Sequence, residues 1–228
     1  MADHQESAVL TSDKEQVLRE LHRLGAVSVL RVKTAELLPP IVAALVAGGM
    51  RAIEVTLTTP RAIELIAELA DKYSRDEILL GAGTVVDVGQ AEAAIDAGAR
   101  YIVAPTINLD VIEYCRDRET VVIPGAFTPT EIETAWRAGA DIVKVFPANI
   151  GGPTYLKDLA GPLPQIKLIP SGGVDFQTAP AFLAAGAYAV AVGGAVIGRD
   201  FERPGAMEEI RAKAEQFVEL LAKSRNSK

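Results

Sequence analysis

The chain has 228 residues, of which 49% are hydrophobic and only 5% aromatic, and it carries a formal net charge of −7. The hydrophobic content excludes an intrinsically disordered chain, and the small, branched residue types favour the core of a parallel α/β sheet. The acidic balance argues against nucleic acid and anionic membranes as partners, so an anionic ligand has to be attracted by local positive charge.

The cysteine content and the lack of long apolar runs bear on the cellular setting. Cys115 is the only cysteine, which excludes an intramolecular disulfide and a cysteine-based metal cluster and is typical of a reducing cytoplasm. Residues 1–12 are expected to form a disordered leader, and residues 1–7 lack the apolar core of a secretory signal. No apolar run reaches the roughly 18 residues that span a bilayer. We therefore expect a cytoplasmic protein without a membrane partner.

Short β-rich segments alternate with helical patterns along the chain. A helix is predicted at 13–24, ahead of the first strand. The predicted strands cover residues 26–31, 52–56, 78–84, 101–104, 120–124, 141–146, 166–170 and 188–193. The helices predicted between and after them cover residues 37–48, 61–73, 88–98, 109–117, 129–138, 153–159, 176–185 and 206–223. This order predicts one α/β domain over 13–228, a (β/α)8 TIM barrel with an extra N-terminal helix; a doubly wound open sheet is the alternative.

Four of the predicted helices end in similar tripeptides that contain glycine. They are Ala47-Gly48-Gly49, Ala97-Gly98-Ala99, Ala138-Gly139-Ala140 and Ala185-Gly186-Ala187. Glycine is favoured at the end of a helix because it adopts positive φ without steric cost. These turns lead from helix to strand, so we expect the functional residues in the opposite set of loops, which follow the strands.

Two ionisable residues stand out on the first two predicted strands. Arg31 ends the first strand and would bring positive charge to the functional face; an ordinary surface arginine is the alternative. On the second strand, alternation points Ala52, Glu54 and Thr56 to one side, which we predict to be the barrel interior. A carboxylate there has to be paired or functional, because burying it alone is costly. Glu54 is therefore either a proton-transfer group or the counter-ion of a buried cation.

Lys144 is the buried cation that the same alternation predicts. Val143 and Val145 suit the helix-facing side of the sixth predicted strand, so Lys144 should point to the interior. Burial favours the neutral amine of a lysine, and a neutral amine can attack a carbonyl group to form a Schiff base. The alternative is a lysine that reaches solvent at the strand end or pairs with a structural carboxylate. Lys144 and Glu54 on two strands of one barrel form a more specific signal than either residue alone.

Smaller groups at other strand ends are expected to shape the pocket. The segment 81–85 closes the third predicted strand. Its small residues are expected to leave the interior open, and the Thr84 hydroxyl and amide can hold a carboxylate. The alternative is that the small residues only allow close packing of the backbone. Pro105 and Phe146 end strands and are expected to shape the pocket without reacting. Both histidines lie outside the barrel pattern, so we expect neither histidine catalysis nor a metal site.

Two glycine pairs follow the last two predicted strands, in the segments 170–174 and 192–195. Backbone N–H groups in glycine-rich loops bind phosphate well, and the loops after strands seven and eight are the usual phosphate site of this barrel. Tight turns without a ligand are the alternative. The candidate phosphate-binding residues are Ser171, Gly172, Gly173, Gly193 and Gly194.

Five segments carry a family resemblance. In chain order they are Gly-Gly-Met-Arg-Ala-Ile-Glu-Val-Thr-Leu-Thr (48–58), Gly-Ala-Gly-Thr-Val (81–85), Ile-Pro-Gly (123–125), Val-Lys-Val-Phe-Pro-Ala (143–148) and Pro-Ser-Gly-Gly-Val (170–174). Over residues 13–224 the chain resembles the 2-keto-3-deoxy-6-phosphogluconate (KDPG) / 4-hydroxy-2-oxoglutarate (KHG) aldolase family. The resemblance implies a class I, metal-independent aldolase without a cofactor, on a (β/α)8 barrel that assembles as a homotrimer.

The resemblance also implies roles for individual residues. Lys144 matches the Schiff-base lysine, and Glu54 matches the glutamate that transfers protons. Thr84 and Pro105 match the pyruvate end of the site, and Phe146 matches the aromatic ring beside the lysine. The family's phosphate loops match Gly172, Gly173, Gly193 and Gly194.

Three positions depart from the family pattern. Thr58 replaces an arginine that helps to bind the anionic groups of the substrate, which leaves Arg31 as its substitute. Val145 follows the lysine where the family usually has Leu or Phe, and Ala195 replaces a serine at the second glycine pair. We expect the chemistry to be intact, while the preferred substrate and the affinity for its phosphate stay open.

The implied ligand is a small phosphorylated keto acid. The expected reaction is reversible cleavage of KDPG to pyruvate and glyceraldehyde 3-phosphate, with KHG cleavage to pyruvate and glyoxylate as a further activity. The C4 epimer, 2-keto-3-deoxy-6-phosphogalactonate, is an alternative substrate. A phosphosugar isomerase or epimerase and a non-catalytic phosphosugar-binding barrel are alternatives of other classes, and a lysine beside an interior glutamate argues against both.

Overall fold

The computed structural model describes residues 12–198, 200–201 and 203–226. Apart from Ser12, the leader predicted over 1–12 lies outside the described residues. Within them the helices are α1 Asp13–Leu24, α2 Leu38–Ala47, α3 Ala62–Lys72, α4 Val88–Asp96, α5 Leu109–Asp117, α6 Pro129–Arg137, α7 Gly152–Ala160, α8 Ala179–Ala184, α9 Gly194–Ile197 and α10 Ala206–Asn226. None of the helices in this part of the chain has the length and apolar character needed to cross a bilayer.

The strands form two parallel sheets. They are β1 Ala26–Leu30, β2 Ala52–Thr56, β3 Leu79–Gly83, β4 Tyr101–Val103, β5 Val121–Ile123, β6 Gly125–Ala126, β7 Val143–Val145, β8 Leu168–Pro170 and β9 Val190–Val192. Six of them pair in the order β5-β4-β3-β2-β1-β9, and three pair in the order β6-β7-β8. The predicted α/β class and the alternation of strands with helices are confirmed.

The two sheets part where one predicted strand is interrupted. The sequence predicts a single strand over 120–124, but the structure has β5 before Pro124 and β6 after it. Proline has no N–H to donate to a ladder, so it ends the regular pairing there. The Pro124 carbonyl still accepts the Lys144 N–H at 2.9 Å. On the other side, Ser171 and Ala191 form an isolated parallel bridge between the two sheets.

Alternating side chains of the strands divide the core into two clusters. Ile53, Val55, Val143 and Val145 lie in the outer cluster, between the sheets and the helices. The inner cluster draws residues from the strands of both sheets and from the segments next to them. Among its members are Val27, Ala52, Leu79, Tyr101, Val121, Ile142, Ile169 and Ala191. The side-chain alternation predicted for the second and sixth strands is therefore confirmed.

Helix α1 covers the amino-terminal side of the inner cluster. Val17 and Leu21 of this helix are fully buried members of that cluster. The helix begins at Ser12, whose side chain accepts the Glu15 N–H at 3.3 Å, as expected of an N-cap serine. It ends at Gly25, which has φ of 74°. Without α1, the apolar inner cluster would face water at this end.

Replacing Leu21 with alanine is expected to lower the free energy of unfolding by about 2–5 kcal/mol, the usual cost of truncating a fully buried leucine. The loss combines the missing apolar contact with the cavity left under α1. Urea denaturation followed by circular dichroism measures it. Leu18→Ala, in the same helix but only partly buried, is the matched control and should lose less. Equal losses for the two variants would contradict this role of α1.

Candidate active site

A pocket of about 710 Å³ lies at the carboxyl-terminal ends of the strands. The predicted site residues that line it are Arg31, Thr84, Pro105, Lys144, Phe146, Ser171, Gly172, Gly173, Gly193 and Gly194. The other lining residues are Val29, Val174, Asp175, Ala191 and Ala195. Glu54 is the one predicted site residue outside this lining. The structure thus gathers residues from the ends of six strands around one space.

Lys144 reaches this pocket from the middle of β7. Its neighbours across the sheet are Gly125 of β6 and Ile169 of β8. The residue is only 8% exposed, and its Nζ lies 5.3 Å from the centre of the Phe146 ring, within the range of a cation–π contact. No carboxylate of the described chain lies within 4 Å of Nζ. The amine is therefore buried, directed at the pocket and free of a direct ion pair.

Glu54 is buried in the middle of β2. The residue is 2% exposed, and its Oε1 has no hydrogen-bond partner among the described residues. Its side chain occupies space that a side chain at Gly83 of β3 would fill, because a Cβ built there overlaps the carboxylate. Buried polar atoms without partners are rare in proteins and often mark a catalytic role or a bound water. A simple counter-ion of Lys144 would contact the amine, and Glu54 does not.

The surroundings of Glu54 favour its protonated form. Burial raises the pKa of this carboxyl group above its ordinary value, and the positive charges of Lys144 and Arg31 oppose the shift. Loss of solvation is the largest of these effects. A carboxyl group with a raised pKa keeps its proton to a higher pH than an ordinary glutamate does, which suits it to donate as well as accept a proton in general acid–base catalysis.

Tyr101 is a site residue that the sequence reasoning missed. It lies in β4, fully buried, and its hydroxyl has no hydrogen-bond partner in the described chain. Strand register places Glu54, Gly81 and Tyr101 in one row across β2, β3 and β4. Burial, with a further contribution from Glu54, raises the pKa of the Tyr101 phenol well above its ordinary value. Strand alternation places Tyr101 on the same side of β4 as Val103, and this was the signal in the sequence that its side chain points to the interior.

The small residues of β3 have a different role from the predicted one. The sequence suggested that they leave the interior open. Instead, the space beside Gly81 is filled by the Tyr101 ring, and the space beside Gly83 is filled by the Glu54 carboxylate. A β-carbon at either position would collide with these side chains. The glycines therefore make room for two buried polar side chains that pack from the adjacent strands.

Arg31 and Thr84 meet at the rim of the pocket. Arg31 is exposed, and its Nη2 donates to Thr84 Oγ1 at 3.4 Å. Thr84 has φ of 61°, a left-handed conformation that is strained for a β-branched residue and is found mostly at functional sites. Thr58 is exposed, hydrogen bonds to Thr56 at 3.0 Å between their Oγ1 atoms, and does not line the pocket. Arg31 is thus the cation available to an anionic group beside Lys144.

The two glycine pairs line the part of the pocket that follows β8 and β9, and β9 pairs directly with β1, the strand that leads to Arg31. Gly172 and Gly173 have φ of 89° and 74°, values that other residues adopt only with strain. A Cβ at Gly194 would meet no atom within 4 Å, so the missing side chain leaves space open to the pocket. Gly194 also begins α9, where the first N–H groups of a helix have no partner within the helix. The N–H groups of Gly172, Gly173, Gly193 and Gly194 find no acceptor in the described chain, so they are available to a ligand in the pocket.

Asp175 is a second residue that the sequence reasoning missed. Its Oδ1 accepts the N–H groups of Gln177 at 2.9 Å and Thr178 at 2.8 Å. These bonds, the Thr178 amide first among them, lower the pKa of Asp175 below its ordinary value. A fixed negative charge beside the glycine pairs restricts where a phosphate can lie. An aspartate after a glycine turn is common, so the sequence held no specific signal for it.

Comparisons with known proteins agree with this geometry. Residues 16–212 match the aldolase family described as KDPG and KHG aldolase. The chain belongs to the KDPG and KHG aldolase family. It is 36% identical to the 2-dehydro-3-deoxy-phosphogluconate aldolase of Treponema pallidum over 169 residues, which are 74% of this chain and 80% of the relative. It is 34% identical to the 2-dehydro-3-deoxy-6-phosphogalactonate aldolase of Escherichia coli over 198 residues, 86% of this chain and 94% of the relative.

A solved structure of the same family illustrates its chemistry. The KDPG aldolase of Legionella pneumophila, crystallised with pyruvate captured as a covalent carbinolamine, is 28% identical to this chain, with a TM-score of 0.74. The match covers 92% of this chain and 96% of that one. As a KDPG and KHG aldolase, the present chain is a carbon–carbon lyase. Among its described residues, no group of three or more His, Cys, Asp or Glu side chains is arranged to hold a metal ion.

Replacing Glu54 with glutamine is expected to stabilise the aldolase at pH 8. The raised pKa of Glu54 means that its contribution to stability is fully present below the pKa of the unfolded chain and is lost as the pH rises through the folded value. Glutamine carries no charge to desolvate, so the variant should melt several degrees higher at pH 8, and the gap should shrink towards pH 4. Differential scanning calorimetry across this range measures both melting temperatures.

The exposed Glu64→Gln variant in α3 is the control for this comparison and should melt like the parent at both pH values. A Glu54→Gln protein that melts below the parent at pH 8 would show that the carboxylate is stabilised by its neighbours more than burial penalises it.

Proposed function

We propose that the chain is a class I aldolase that reversibly cleaves KDPG into pyruvate and glyceraldehyde 3-phosphate, and KHG into pyruvate and glyoxylate. The observation that carries the proposal is a buried Lys144 amine that faces the pocket without a carboxylate within 4 Å among the described residues, in the same interior as the buried Glu54. An amine so placed can act as a nucleophile, and the carboxyl group can transfer protons.

The first half of the proposed reaction forms the covalent intermediate. The neutral Lys144 amine attacks the C2 ketone carbon of the substrate and gives a carbinolamine. The C2 hydroxyl group then takes up a proton from Glu54 and leaves as water, the nitrogen forms an iminium with C2, and Glu54 is left as a carboxylate. The Phe146 ring, 5.3 Å from Nζ, offers its face to the positive charge that develops.

The second half breaks and remakes bonds at C3. Glu54, acting through a water molecule, removes the proton of the C4 hydroxyl group. The C3–C4 bond breaks, the aldehyde leaves, and the electron pair of the bond passes to the iminium, which becomes an enamine. Glu54 returns the proton to C3, and hydrolysis of the resulting iminium releases pyruvate and the free amine. No step needs a metal ion or a cofactor.

The two anionic ends of the substrate would be bound by different groups of the pocket. We place the carboxylate beside Arg31 and Thr84, near the Lys144 amine, with Pro105 on the same side. The phosphate would lie at the two glycine pairs and receive hydrogen bonds from the N–H groups of Gly172, Gly173, Gly193 and Gly194. Ser171 would contribute its hydroxyl group, because its N–H donates to the Val145 carbonyl at 3.0 Å. The contact between Arg31 and Thr84 and the open space beside Gly194 support this orientation.

The proposal extends to the assembly. We propose that the two sheets form one (β/α)8 barrel, a single domain over 13–228 that works as a homotrimer in the cytoplasm. The Ser171–Ala191 bridge and the inner cluster shared by both sheets support the barrel. Resemblance to the family supports the trimer, and the single cysteine supports the cytoplasm.

The galactonate epimer is the second candidate substrate. The similarity to the Escherichia coli 2-dehydro-3-deoxy-6-phosphogalactonate aldolase extends over 94% of that relative. Thr58 also stands where the family pattern often has arginine, which leaves the preferred substrate open. The two epimers differ only at C4, where Glu54 would act, so the position of one hydroxyl group decides between them.

Borohydride reduction in the presence of pyruvate is expected to attach the pyruvate skeleton covalently to Lys144, because borohydride reduces the iminium to a stable amine. Intact-protein mass spectrometry followed by peptide mapping locates the adduct. Lys144→Ala should form none, whereas the exposed Lys157→Ala control should form it fully. An adduct that persists in Lys144→Ala would exclude the lysine assignment, and the absence of any adduct in the parent would favour an isomerase or a binding protein.

Retro-aldol cleavage, measured by coupling pyruvate release to lactate dehydrogenase, is expected to favour KDPG over its galactonate epimer by at least about tenfold in kcat/KM, with weaker cleavage of KHG. Glu54→Gln should lower kcat by about a hundredfold or more, the usual contribution of a general base. It should still allow some trapping of the imine by borohydride. The opposite epimer preference would select the second candidate, and cleavage of none of the three compounds would refute the proposed function.

A further inference from the structure

A second pocket lies at the opposite end of the strands from the active site. It has a volume of about 250 Å³ and lies between α1 and the segments that lead into β2, β3 and β4. Four arginines line it: Arg23, Arg51, Arg75 and Arg100. The proposed reaction uses none of these residues. We refer to this space as the arginine pocket.

Arg100 is the most buried of the four. Its side chain is only 8% exposed. One guanidinium nitrogen, Nη2, donates to Asp13 at 2.7 Å. Its Nε is buried and finds no hydrogen-bond acceptor among the described residues. A buried donor of a charged group is costly to leave unpaired, so an acceptor supplied from outside the chain would stabilise this arrangement.

Arg51 also lacks a carboxylate partner. Its Nε donates to the Glu77 carbonyl at 2.8 Å, and no ion pair joins it to an acidic residue of the described chain within 4 Å. The Glu77 carboxylate instead accepts the Ser74 N–H at 2.9 Å. Arg51 therefore lines the pocket without a direct ion pair. After the hydrogen bonds that the Glu20 and Glu77 carboxyl groups accept, the charge of Arg51 also lowers the pKa of both groups.

Acidic side chains also surround the arginine pocket. Two carboxylates, Glu20 and Asp76, line it beside the four guanidinium groups. Glu20 pairs with Arg23 at 2.7 Å, while the neighbouring Asp13 is shared between Arg75 at 3.3 Å and Arg100 at 2.7 Å. The hydrogen bond from Arg23, with smaller contributions from Arg51 and Arg100, lowers the pKa of Glu20. Four arginines thus face four carboxylates, counting Asp13 and the nearby Glu77, and what distinguishes the pocket is that some arginine donors, such as the Arg100 Nε, have no acceptor among the described residues.

We propose that the arginine pocket binds a small phosphate-bearing anion, at a site separate from the active site. Planar guanidinium groups present paired N–H donors that match the oxygens of a phosphate. A phosphate here could accept from Arg51 and would contact α1 through Arg23, while the Arg100 Nε, which is buried from solvent, could donate to it only after the Arg100 side chain moves. Binding would therefore hold α1 against the strand ends. The proposal does not depend on the proposed aldolase reaction.

Inorganic phosphate is the probe, with sodium chloride at equal ionic strength as the blank. Isothermal titration calorimetry and thermal unfolding are measured on the full chain and on three variants. Arg51→Gln removes a donor of the pocket. Arg61→Gln, an exposed arginine of the α3 N-terminus that pairs with Glu68 at 3.4 Å, is the matched control. Gly194→Asp places a carboxylate in the proposed phosphate loop of the active site, where a Cβ meets no atom within 4 Å.

We expect phosphate to bind and raise the melting temperature in the parent, in Arg61→Gln and in Gly194→Asp. In Arg51→Gln the dissociation constant for this site should rise at least about tenfold, the effect of losing one charge-assisted hydrogen bond. Equal binding by Arg51→Gln and Arg61→Gln would overturn the proposal. So would the loss of all phosphate binding in Gly194→Asp, because every bound phosphate would then lie in the active site.

Discussion

The burial of the Glu54 carboxylate is the constraint on which the rest of this active site depends. A charged group can occupy the interior only where the surrounding atoms leave it space and bring it opposite charge. Gly83 supplies the space, and Lys144 and Arg31 supply the charge without contacting it directly. The result is a carboxyl group that exchanges a proton readily. The loss of solvation that suits Glu54 to catalysis also lowers the stability of the folded chain. The fold tolerates this cost because α1 and the two apolar clusters stabilise the rest of the structure.

In this acidic chain, the positions of individual charged side chains matter more for binding an anion than the total charge does. The net charge of −7 is spread over the surface, where water and salt screen it within about 10 Å. The cations that matter are concentrated at the two ends of the strands, Arg31 and Lys144 at one end and the arginine pocket at the other. An anionic ligand at either end therefore finds basic side chains in the pocket, beside acidic groups such as Asp175 and Glu20.

Much of the architecture and the site could be predicted from the sequence, because both follow from periodic patterns. Strand alternation placed Lys144 and Glu54 correctly, since each is flanked by apolar residues that require the helix layer. Contacts between segments that are distant in the chain produce no periodic pattern in the sequence, so they could not be predicted. The Tyr101 ring fits its place only because Gly81 of the adjacent strand has no side chain, and the arginine pocket is lined by residues from four separate segments. The division at Pro124 was visible only as a proline within a short strand, where the sequence does not show whether pairing continues past it.

The tight packing around the glycines of β3 limits the substitutions that such an enzyme can accept. Gly81 is matched to the Tyr101 ring and Gly83 to the Glu54 carboxylate, so each pair shares one volume of the interior. Neither glycine can acquire a side chain unless its partner becomes smaller in the same step. The two pairs are therefore expected to vary jointly among descendants of this chain. Any redesign that moves the proton-transfer group to another strand has to begin by refilling the space at position 83.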